Sequence, residues 1–309
     1  MGSIYTVDET FDHTLFAGSS CCFGVFDGVH TGHRFLIDAA KKAAHEAGSR
    51  SIVLTFDRDP DEIFAPDKLK KLLSNEDRLA LLAQSGVNAV CVLPFTRTLA
   101  ALSPQDFLEK TFGVYSPAFL HVGCDFAFGA RAQGTVDDLQ TWAHQSGTSI
   151  CAYDLKSADG DIITATRIRG LLADGWVEEA NRLIGRAYAL HETVRPGRSD
   201  GRDFGFRTAN LTVPSERFVV AEGVYAGYAI VAGKRYAAAI SNGVAPTFAD
   251  STTANVEVHI LDFDQEMYGE TIWVEFHHRL RPMMRFSSTQ ELIDTVMGNI
   301  QWVRDNMKV

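Results

Sequence analysis

The order of predicted elements changes near Gly185, and this change constrains the fold more than any other feature of the chain. Before Gly185, short apolar runs alternate with helical segments; after it, strands follow one another through short turns. Alternating strands and helices predict a parallel sheet with helices on both faces. Successive strands joined by turns predict an antiparallel barrel or sandwich. We therefore predict an α/β domain over residues 1–185 and a mainly antiparallel β domain with a C-terminal helix over residues 186–309.

Local signals support both domains. In the first, apolar runs of strand length lie at 20–26, 51–56, 88–95, 118–122 and 148–153. Gly48 is expected to end a helix that starts near Gly32, and either Ser74 or Asn75 is expected to cap a second. Ser103, followed by Pro104, is a favourable start for a third helix.

In the second domain, strands are predicted at 224–231, 235–240, 255–262 and 271–276. Ser288 and Glu291 predict a capping box at the start of the final helix. The apolar face of that helix is expected to consist of Leu292, Val296, Ile300 and Val303.

The composition limits the classes of partner. The chain of 309 residues carries 29 Lys and Arg against 39 Asp and Glu, a formal charge of −10. A protein that coats nucleic acid needs a basic face, but a small phosphate pocket is compatible with this charge. No apolar run is long enough to span a membrane, and the N-terminus has no secretory apolar core. Five cysteines without a C-x-x-C pair predict buried, reduced thiols in a cytoplasmic protein.

A candidate phosphate site follows the first long apolar strand, in the segment Gly24–His33, GVFDGVHTGH. A strand ends, a glycine-containing turn allows a ligand to approach closely, and a helix begins whose free N–H groups attract anions. His30 and His33 can face one anion, and Gly32 leaves room for it. The residues alone are equally consistent with two ordinary polar residues at the start of a helix.

Four segments in order resemble the bacterial riboflavin kinase/FAD synthetase family, whose N-terminal module is a Rossmann-like nucleotidyltransferase with an H-x-G-H motif. They are FGVFDGVHTGHRFLI (23–37), VLTFD (53–57), VGCDFAFG (122–129) and TATRIR (164–169). The similarity covers nearly the whole chain. It implies that the phosphate of FMN attacks the α-phosphorus of ATP, which yields FAD and pyrophosphate. No protein nucleophile is needed, so catalysis would consist of positioning and charge neutralisation.

The resemblance also implies roles for residues of the first module. His30 and His33 would contact the ATP phosphates, and Arg169, with Thr166, would hold the leaving pyrophosphate. The flavin or nucleotide pocket would be lined by Asp125, Phe126 and Phe128. The other ATP-binding positions that the motif implies are Gly24, Phe26, Asp27 and Gly32. Without the family, Arg169 is best interpreted as a solvated helix charge.

A second candidate site lies in the segment Gly197–Asn210, GRSDGRDFGFRTAN. Thr208 and Asn210 alternate on one strand face, so both side-chain oxygens can point at one Mg²⁺, a cation that prefers oxygen ligands. Glu257 lies among apolar neighbours on a later strand, where its carboxylate could accept the proton of an alcohol. Taken alone, a glycine-rich hairpin and an outward-facing glutamate explain these residues as well.

These segments resemble the riboflavin kinase module of the same family. Its motifs are matched by Gly223-Val224-Tyr225, Gly243 to Phe248, Glu257, Tyr268-Gly269 and Leu280-Arg281. The resemblance implies transfer of the γ-phosphoryl group of ATP to the ribityl 5′-hydroxyl of riboflavin, with Glu257 as general base. Thr208 and Asn210 would hold Mg²⁺. Gly201 and Gly205 would bind the ATP phosphates, and Arg281 would contact the flavin.

The chain departs from the family pattern at three places. Arg207 replaces the proline of P-T-A-N, Arg58-Asp59 replaces the Pro-His of D-P-H-P, and Ala165 replaces a serine. Loss of a proline that fixes φ removes preorganisation of about 0.4–1 kcal/mol. The larger question is the Arg207 side chain, which could occupy the nucleotide or metal space or help to bind phosphate. Arg58 could replace the charge of the missing histidine.

We therefore predict a bifunctional, Mg²⁺-dependent enzyme that uses ATP to convert riboflavin into FMN and FMN into FAD, with no nucleic-acid or membrane partner. Two alternatives stay open. One is an FMN adenylyltransferase whose kinase is impaired by Arg207, and the other is a flavin- or nucleotide-binding regulator with both sites degraded. A different H-x-G-H nucleotidyltransferase would leave the motifs of the second module unexplained.

Overall fold

The chain forms two compact units, Met1–Ala165 and Thr166–Val309. The structure is a computed structural model that describes residues 1–66, 68–196, 207–243 and 254–309. In this part of the chain, no helix combines the length and the apolar composition that a membrane crossing requires. The domain boundary at residue 185 stays a prediction.

Six parallel strands form the sheet of the first unit, in the order β1-β4-β3-β2-β5-β6. They are β1 (Ser3–Thr6), β2 (Ser20–Phe23), β3 (Ser51–Phe56), β4 (Ala89–Leu93), β5 (Phe119–Gly123) and β6 (Ser149–Tyr153), followed by a small hairpin of β7 (Ser157–Ala158) and β8 (Asp161–Ile162). The chain runs from β2 through β3 to β4 and then returns to the other side of β2 as β5. Ligands of such sheets bind beyond the carboxyl ends of the strands at this switch point.

Helices accompany the sheet of the first unit. They are α1 (Thr31–Glu46), α2 (Asp61–Phe64), α3 (Asn75–Gln84), α4 (Pro104–Phe112) and α5 (Val136–Ser146). Of the two predicted cap residues, Ser74 and Asn75, Ser74 caps α3. One apolar cluster contains Phe23 and Leu54, and another contains their neighbours Cys22 and Val53. Successive strand residues point to opposite faces, so the sheet is buried on both faces and the α/β prediction is confirmed.

The second unit is built around a closed antiparallel barrel in the order β10-β13-β12-β11-β14-β9. Its strands are β9 (Tyr188–Arg195), β10 (Ala209–Val213), β11 (Gly223–Val231), β12 (Lys234–Asn242), β13 (Ala254–Ile260) and β14 (Thr271–Arg281). Helices α6 (Ala165–Asp174) and α7 (Val177–Ile184) precede the barrel, and α8 (Thr289–Asn306) follows it. Ile300 and Val303 of α8 pack against apolar side chains of β11 and β12. The predicted barrel and C-terminal helix are confirmed.

The start of α8 differs from the prediction in one detail. The Ser288 hydroxyl accepts a hydrogen bond from the Glu291 N–H at 3.2 Å. The Glu291 carboxylate accepts from the N–H of Ser287 at 2.7 Å and from its hydroxyl at 2.6 Å. Ser287, which the sequence did not indicate, therefore adds two donors to the predicted capping box.

The prediction of buried thiols holds for only three of the five cysteines. Cys21, Cys22 and Cys91 are buried, whereas Cys151 is partly exposed and Cys124 is exposed. Cys124 directly follows β5. It is therefore in the turn that leaves the sheet, where the apolar pattern of the strand no longer determines burial.

A buried histidine connects three strands of the first unit. His121 on β5 is 1% exposed. Its Nε2 lies 2.9 Å from the Ser20 hydroxyl on β2, and its Nδ1 lies 2.9 Å from the Tyr153 hydroxyl on β6. Burial disfavours the charged ring and lowers the pKa of His121 from 6.5 to about 4.

This pKa makes stability depend on pH. Between pH 6.5 and 4, a histidine binds a proton in the unfolded chain but not in the folded one, so the stabilising effect is complete above pH 6.5 and is lost as the pH falls. We expect His121 to account for up to about 3 kcal/mol of this loss. Urea unfolding at several pH values should show a shallower pH dependence for His121→Asn. The exposed His45 supplies the control His45→Asn, and equal pH dependence in the two variants would contradict the assignment.

Candidate active sites

The first candidate site begins directly after β2, at the switch point of the sheet. Phe26 and Val29 have left-handed backbone, with φ of +60° and +41°. Such values are unfavourable for residues other than glycine and are frequent at functional sites. Gly28 has φ of +73°, and a Cβ there would lie 2.7 Å from a methyl carbon of Leu72. The Asp27 carboxylate accepts a hydrogen bond from the Leu72 N–H at 3.2 Å, so this predicted ATP-binding residue holds the turn in place.

Two stacked histidines lie at the start of α1. The Nδ1 atom of His30 accepts from the His33 N–H at 3.3 Å, and the ring centroids are 3.6 Å apart. Because Nδ1 accepts, a neutral His30 carries its proton on Nε2. Burial, with smaller effects of His30 and Arg78, lowers the pKa of His33 well below its usual value. A Cβ at Gly32 would lie 3.1 Å from the His30 ring, whereas a Cβ at Gly24 would lie 3.2 Å from the Phe26 ring.

A buried arginine that the sequence did not indicate forms hydrogen bonds to the segment before the two histidines. Arg78 on α3 is 3% exposed. Its guanidinium donates to the Val25 carbonyl at 2.9 Å, to the Thr55 hydroxyl at 2.8 Å and to the carbonyls of Phe56 at 2.7 Å and Asp57 at 3.3 Å. The planar fork of donors therefore links the segments that follow β2 and β3.

An aromatic cavity of about 710 Å³ lies in the same unit. It is lined mainly by apolar side chains, among them Phe56, Phe64, Phe95, Leu99, Phe107 and Phe128. Of the three flavin residues predicted in the first module, only Phe128 belongs to this lining. Phe126 stacks on Phe128, with ring centroids 5.7 Å apart, and also contacts Phe23 in the core. Asp125 is exposed in the turn after β5.

Two other residues predicted for the first module, Thr166 and Arg169, lie on α6 in the second compact unit. Ala165 is the first residue of that helix. The Arg58 guanidinium donates two hydrogen bonds, at 3.1 and 3.0 Å, to one carboxylate oxygen of Asp57. The other Asp57 oxygen accepts from the Phe95 N–H at 2.7 Å.

The second candidate site lies on the outer face of the barrel, on β10 and β13. In the register of these strands, Asn210 is opposite Glu257 and Ala209 is opposite Val258. The buried Val258 and Ala209 alternate with Glu257, Asn210 and Thr208, which are exposed or half-buried. Thr208 and Glu257 line one cavity of about 260 Å³. The predicted alternation of Thr208 and Asn210 on one face is therefore present.

Arg281 and α8 form the opposite side of this cavity. The Arg281 guanidinium donates to the Asn299 side-chain oxygen at 3.0 Å and lies 5.7 Å from the Phe286 ring centre. Burial lowers the pKa of Arg281 from its usual value. The predicted phosphate-binding residues Gly201 and Gly205 lie outside the described residues, as does the segment 244–248 of the motif that begins at Gly243.

Comparisons with known proteins cover both units. A family model described as FAD synthetase matches residues 13–167, and one described as riboflavin kinase matches residues 184–307. The bifunctional riboflavin kinase/FMN adenylyltransferase of Listeria monocytogenes is 34% identical over 87% of this chain and 86% of its own length. The protein of the same description from Bacillus subtilis is 33% identical over 94% of each chain.

The chain belongs to the bifunctional riboflavin kinase/FMN adenylyltransferase family. The Escherichia coli K12 member is 34% identical over 89% of this chain and 88% of its own length. A crystal structure from Streptococcus pneumoniae, described as a macrolide-efflux protein, matches the fold with a TM-score of 0.87, 29% identity and 99% coverage of both chains. The expected FAD synthetase and riboflavin kinase domains are thus both present.

Two residues beside the candidate sites, Arg78 and His259, were not predicted from the sequence. Arg78 follows the cap of an ordinary amphipathic helix, and no local pattern indicates that its side chain turns inward. His259 lines the same cavity as Glu257. It is two residues further along the same strand, so the strand period of two was a signal that could have found it.

We expect Arg78 to stabilise the FAD synthetase domain strongly. Arg78→Met would leave buried carbonyl groups without a donor and should lower the free energy of unfolding by about 3 kcal/mol. Arg78→Lys should cost less, because lysine keeps the charge but lacks the fork. Urea unfolding of the full chain measures both variants, with the exposed Arg50→Met as the control. A loss for Arg78→Met no larger than for Arg50→Met would contradict this role.

Proposed function

We propose that this chain phosphorylates riboflavin to FMN at the barrel and adenylylates FMN to FAD at the parallel sheet, with ATP as co-substrate in both steps. The observation that carries the proposal is the convergence of Thr208, Asn210 and Glu257 on one barrel face beside a cavity. This convergence persists although Arg207 replaces the usual proline. The riboflavin kinase match over residues 184–307 also supports the first activity. The FAD synthetase match over residues 13–167 and the histidine loop at the switch point support the second.

In the proposed kinase reaction, Glu257 accepts the proton of the riboflavin 5′-hydroxyl as that oxygen bonds to the γ-phosphorus of ATP and ADP leaves. The Asn255 side-chain amide donates to the Glu257 carboxylate at 3.3 Å, which favours one orientation of the base. Thr208 and Asn210 offer the hydroxyl and amide oxygens that suit Mg²⁺, a cation that usually takes few ligands from protein. When bound, Mg²⁺ would neutralise phosphate charge. Arg281 lines the same cavity as Thr208 and Glu257, in which we place riboflavin.

In the proposed adenylyl transfer, a phosphate oxygen of FMN bonds to the α-phosphorus of ATP, the α–β bridging bond breaks, and pyrophosphate leaves. His30 can donate from Nε2 to a phosphate oxygen, because its Nδ1 is engaged with the His33 N–H. The lowered pKa of His33 favours a neutral ring before ATP binds. The start of α1 adds N–H donors and the positive end of a helix dipole. The roles that the resemblance implies for Thr166 and Arg169 stay predictions.

We further propose that the isoalloxazine ring of FMN occupies the aromatic cavity that Phe128 lines. Its volume of about 710 Å³ and its Phe side chains suit a flat tricyclic ring. Arg97 and Arg131 also border this cavity and offer positive charge for a phosphorylated ligand. We place both reactions in the cytoplasm, in agreement with the free cysteines among the described residues.

A second candidate function is FMN adenylyl transfer alone, which Arg207 favours because it interrupts the kinase motif. Two incubations of the full chain with ATP and Mg²⁺ separate the candidates, one with riboflavin and one with FMN, followed by chromatography of flavins and nucleotides. FMN and ADP from riboflavin, together with FAD and pyrophosphate from FMN, support the bifunctional proposal. FAD from supplied FMN without any FMN from riboflavin supports the second candidate. Flavin binding without either product would refute both and support a regulator.

Variants at the two sites should affect the two reactions separately. Glu257→Gln should lower FMN formation by about 10²–10⁴-fold, since it removes the base. His30→Ala should lower FAD formation from supplied FMN by about 10²–10³-fold, since it removes a donor to the phosphates. Each variant serves as the folding control of the other, because the untouched reaction should keep its rate. Unchanged kinase turnover in Glu257→Gln would disprove its role as base.

A further inference from the structure

Arg207, the residue that replaces the usual proline, is held at two points. Its backbone carbonyl lies 2.8 Å from Nδ1 of His259, and because a carbonyl can only accept, Nδ1 donates. Its guanidinium forms an ion pair with Asp264, in the connection between β13 and β14. Arg207 does not belong to the lining of the cavity that contains Thr208 and Glu257. The ion pair therefore directs the Arg207 side chain toward Asp264 and not into this cavity.

The His259 hydrogen bond lies beside the proposed Mg²⁺ ligand. The paired register of the two strands ends with Ala209 opposite Val258, and Thr208 and His259 are the next residues beyond that pair. His259 also lines the same cavity as Thr208 and Glu257. The bond therefore holds the peptide that joins Arg207 to Thr208, directly before the first residue of the predicted metal pair.

The stabilisation expected from the His259 hydrogen bond is similar in size to the stabilisation expected from a proline at position 207. A proline at a compatible position changes an equilibrium by about 2- to 5-fold, through the φ it fixes. One hydrogen bond changes an equilibrium by about 2- to 10-fold. The ion pair with Asp264 is solvent-exposed and contributes at most about 5-fold. The His259 bond alone is thus large enough to compensate for the missing ring.

We propose that His259 is a positioning residue of the kinase, whose hydrogen bond to the Arg207 carbonyl replaces the preorganisation that proline supplies, while Asp264 holds the Arg207 side chain outside the cavity. The inference rests on the proposed kinase function. It predicts that His259 matters when residue 207 is arginine and matters little when residue 207 is proline.

A double-mutant cycle on the full chain tests this dependence. FMN formation is measured as kcat/KM for ATP in the native chain, His259→Leu, Arg207→Pro and the double variant. His259→Leu should lower kcat/KM by about 2- to 10-fold in the native background and by less than about 2-fold in the Arg207→Pro background. His259→Asn should retain most of the native value, because its side-chain N–H can replace Nδ1–H.

Two controls separate positioning from misfolding. FAD formation from supplied FMN should stay constant in every variant, and His278→Leu, a histidine change on β14 outside the cavity lining, should leave FMN formation unchanged. An equal loss for His259→Leu in both backgrounds would overturn the inference, since it would indicate direct contact with substrate or a general structural role. No loss in the native background would overturn it as well.

The same measurements distinguish the inference from the function on which it rests. FMN formation that is absent from the native chain but present in Arg207→Pro would refute the compensation while leaving the kinase site assigned. FMN formation that is absent from both would refute the kinase function itself, and the inference would fall with it.

Discussion

Both candidate sites depend on backbone hydrogen bonds that hold neighbouring strands in one register. In the barrel, the pairing of Asn210 with Glu257 brings an amide and a carboxylate to the same outer face. A slip by one residue would turn one of these side chains toward the apolar interior, since side chains alternate along a strand. In the sheet, the parallel pairing of β2 with β5 brings the histidine loop and the Phe128 loop to the same edge.

The groups near the histidine loop, and not the acidic net charge of the chain, determine whether phosphate can bind there. Arg78 places a full positive charge under the histidine loop, and Asp27, Asp59, Glu62 and Asp57 surround that charge. Burial, with smaller effects of His30 and Arg78, lowers the pKa of His33 and favours its neutral form. Phosphate recognition at this loop is therefore expected to depend on N–H donors and the start of α1 more than on resident charge. The net charge of −10 has little influence on phosphate binding at this loop, because exposed charges are screened within about 8–10 Å.

The sequence predicted much of this arrangement from patterns of residues close together in the chain. The apolar runs predicted β3 and β4, and the two cap candidates, Ser74 and Asn75, predicted the start of α3 to within one residue. The alternation of Thr208 and Asn210 predicted their common face. Cys124 escaped prediction because a turn ends the apolar pattern of its strand. Arg78 escaped because its acceptors, three carbonyls and one hydroxyl, are 21–53 residues away in sequence, and nothing near the helix indicates them.

By itself, the sequence determined the two kinds of domain, the two motifs and the family, because these depend on local periodicity and on the order of short segments. Only the tertiary structure decided where the Arg207 side chain lies. Sequence left it free to enter the nucleotide or metal space. Its side-chain partner Asp264 is 57 residues away, and His259, which bonds the Arg207 carbonyl, is 52 residues away. The strand pairing that closes the barrel brings these residues together. A contact across such a separation has no local signature, because it forms only when the intervening chain has folded.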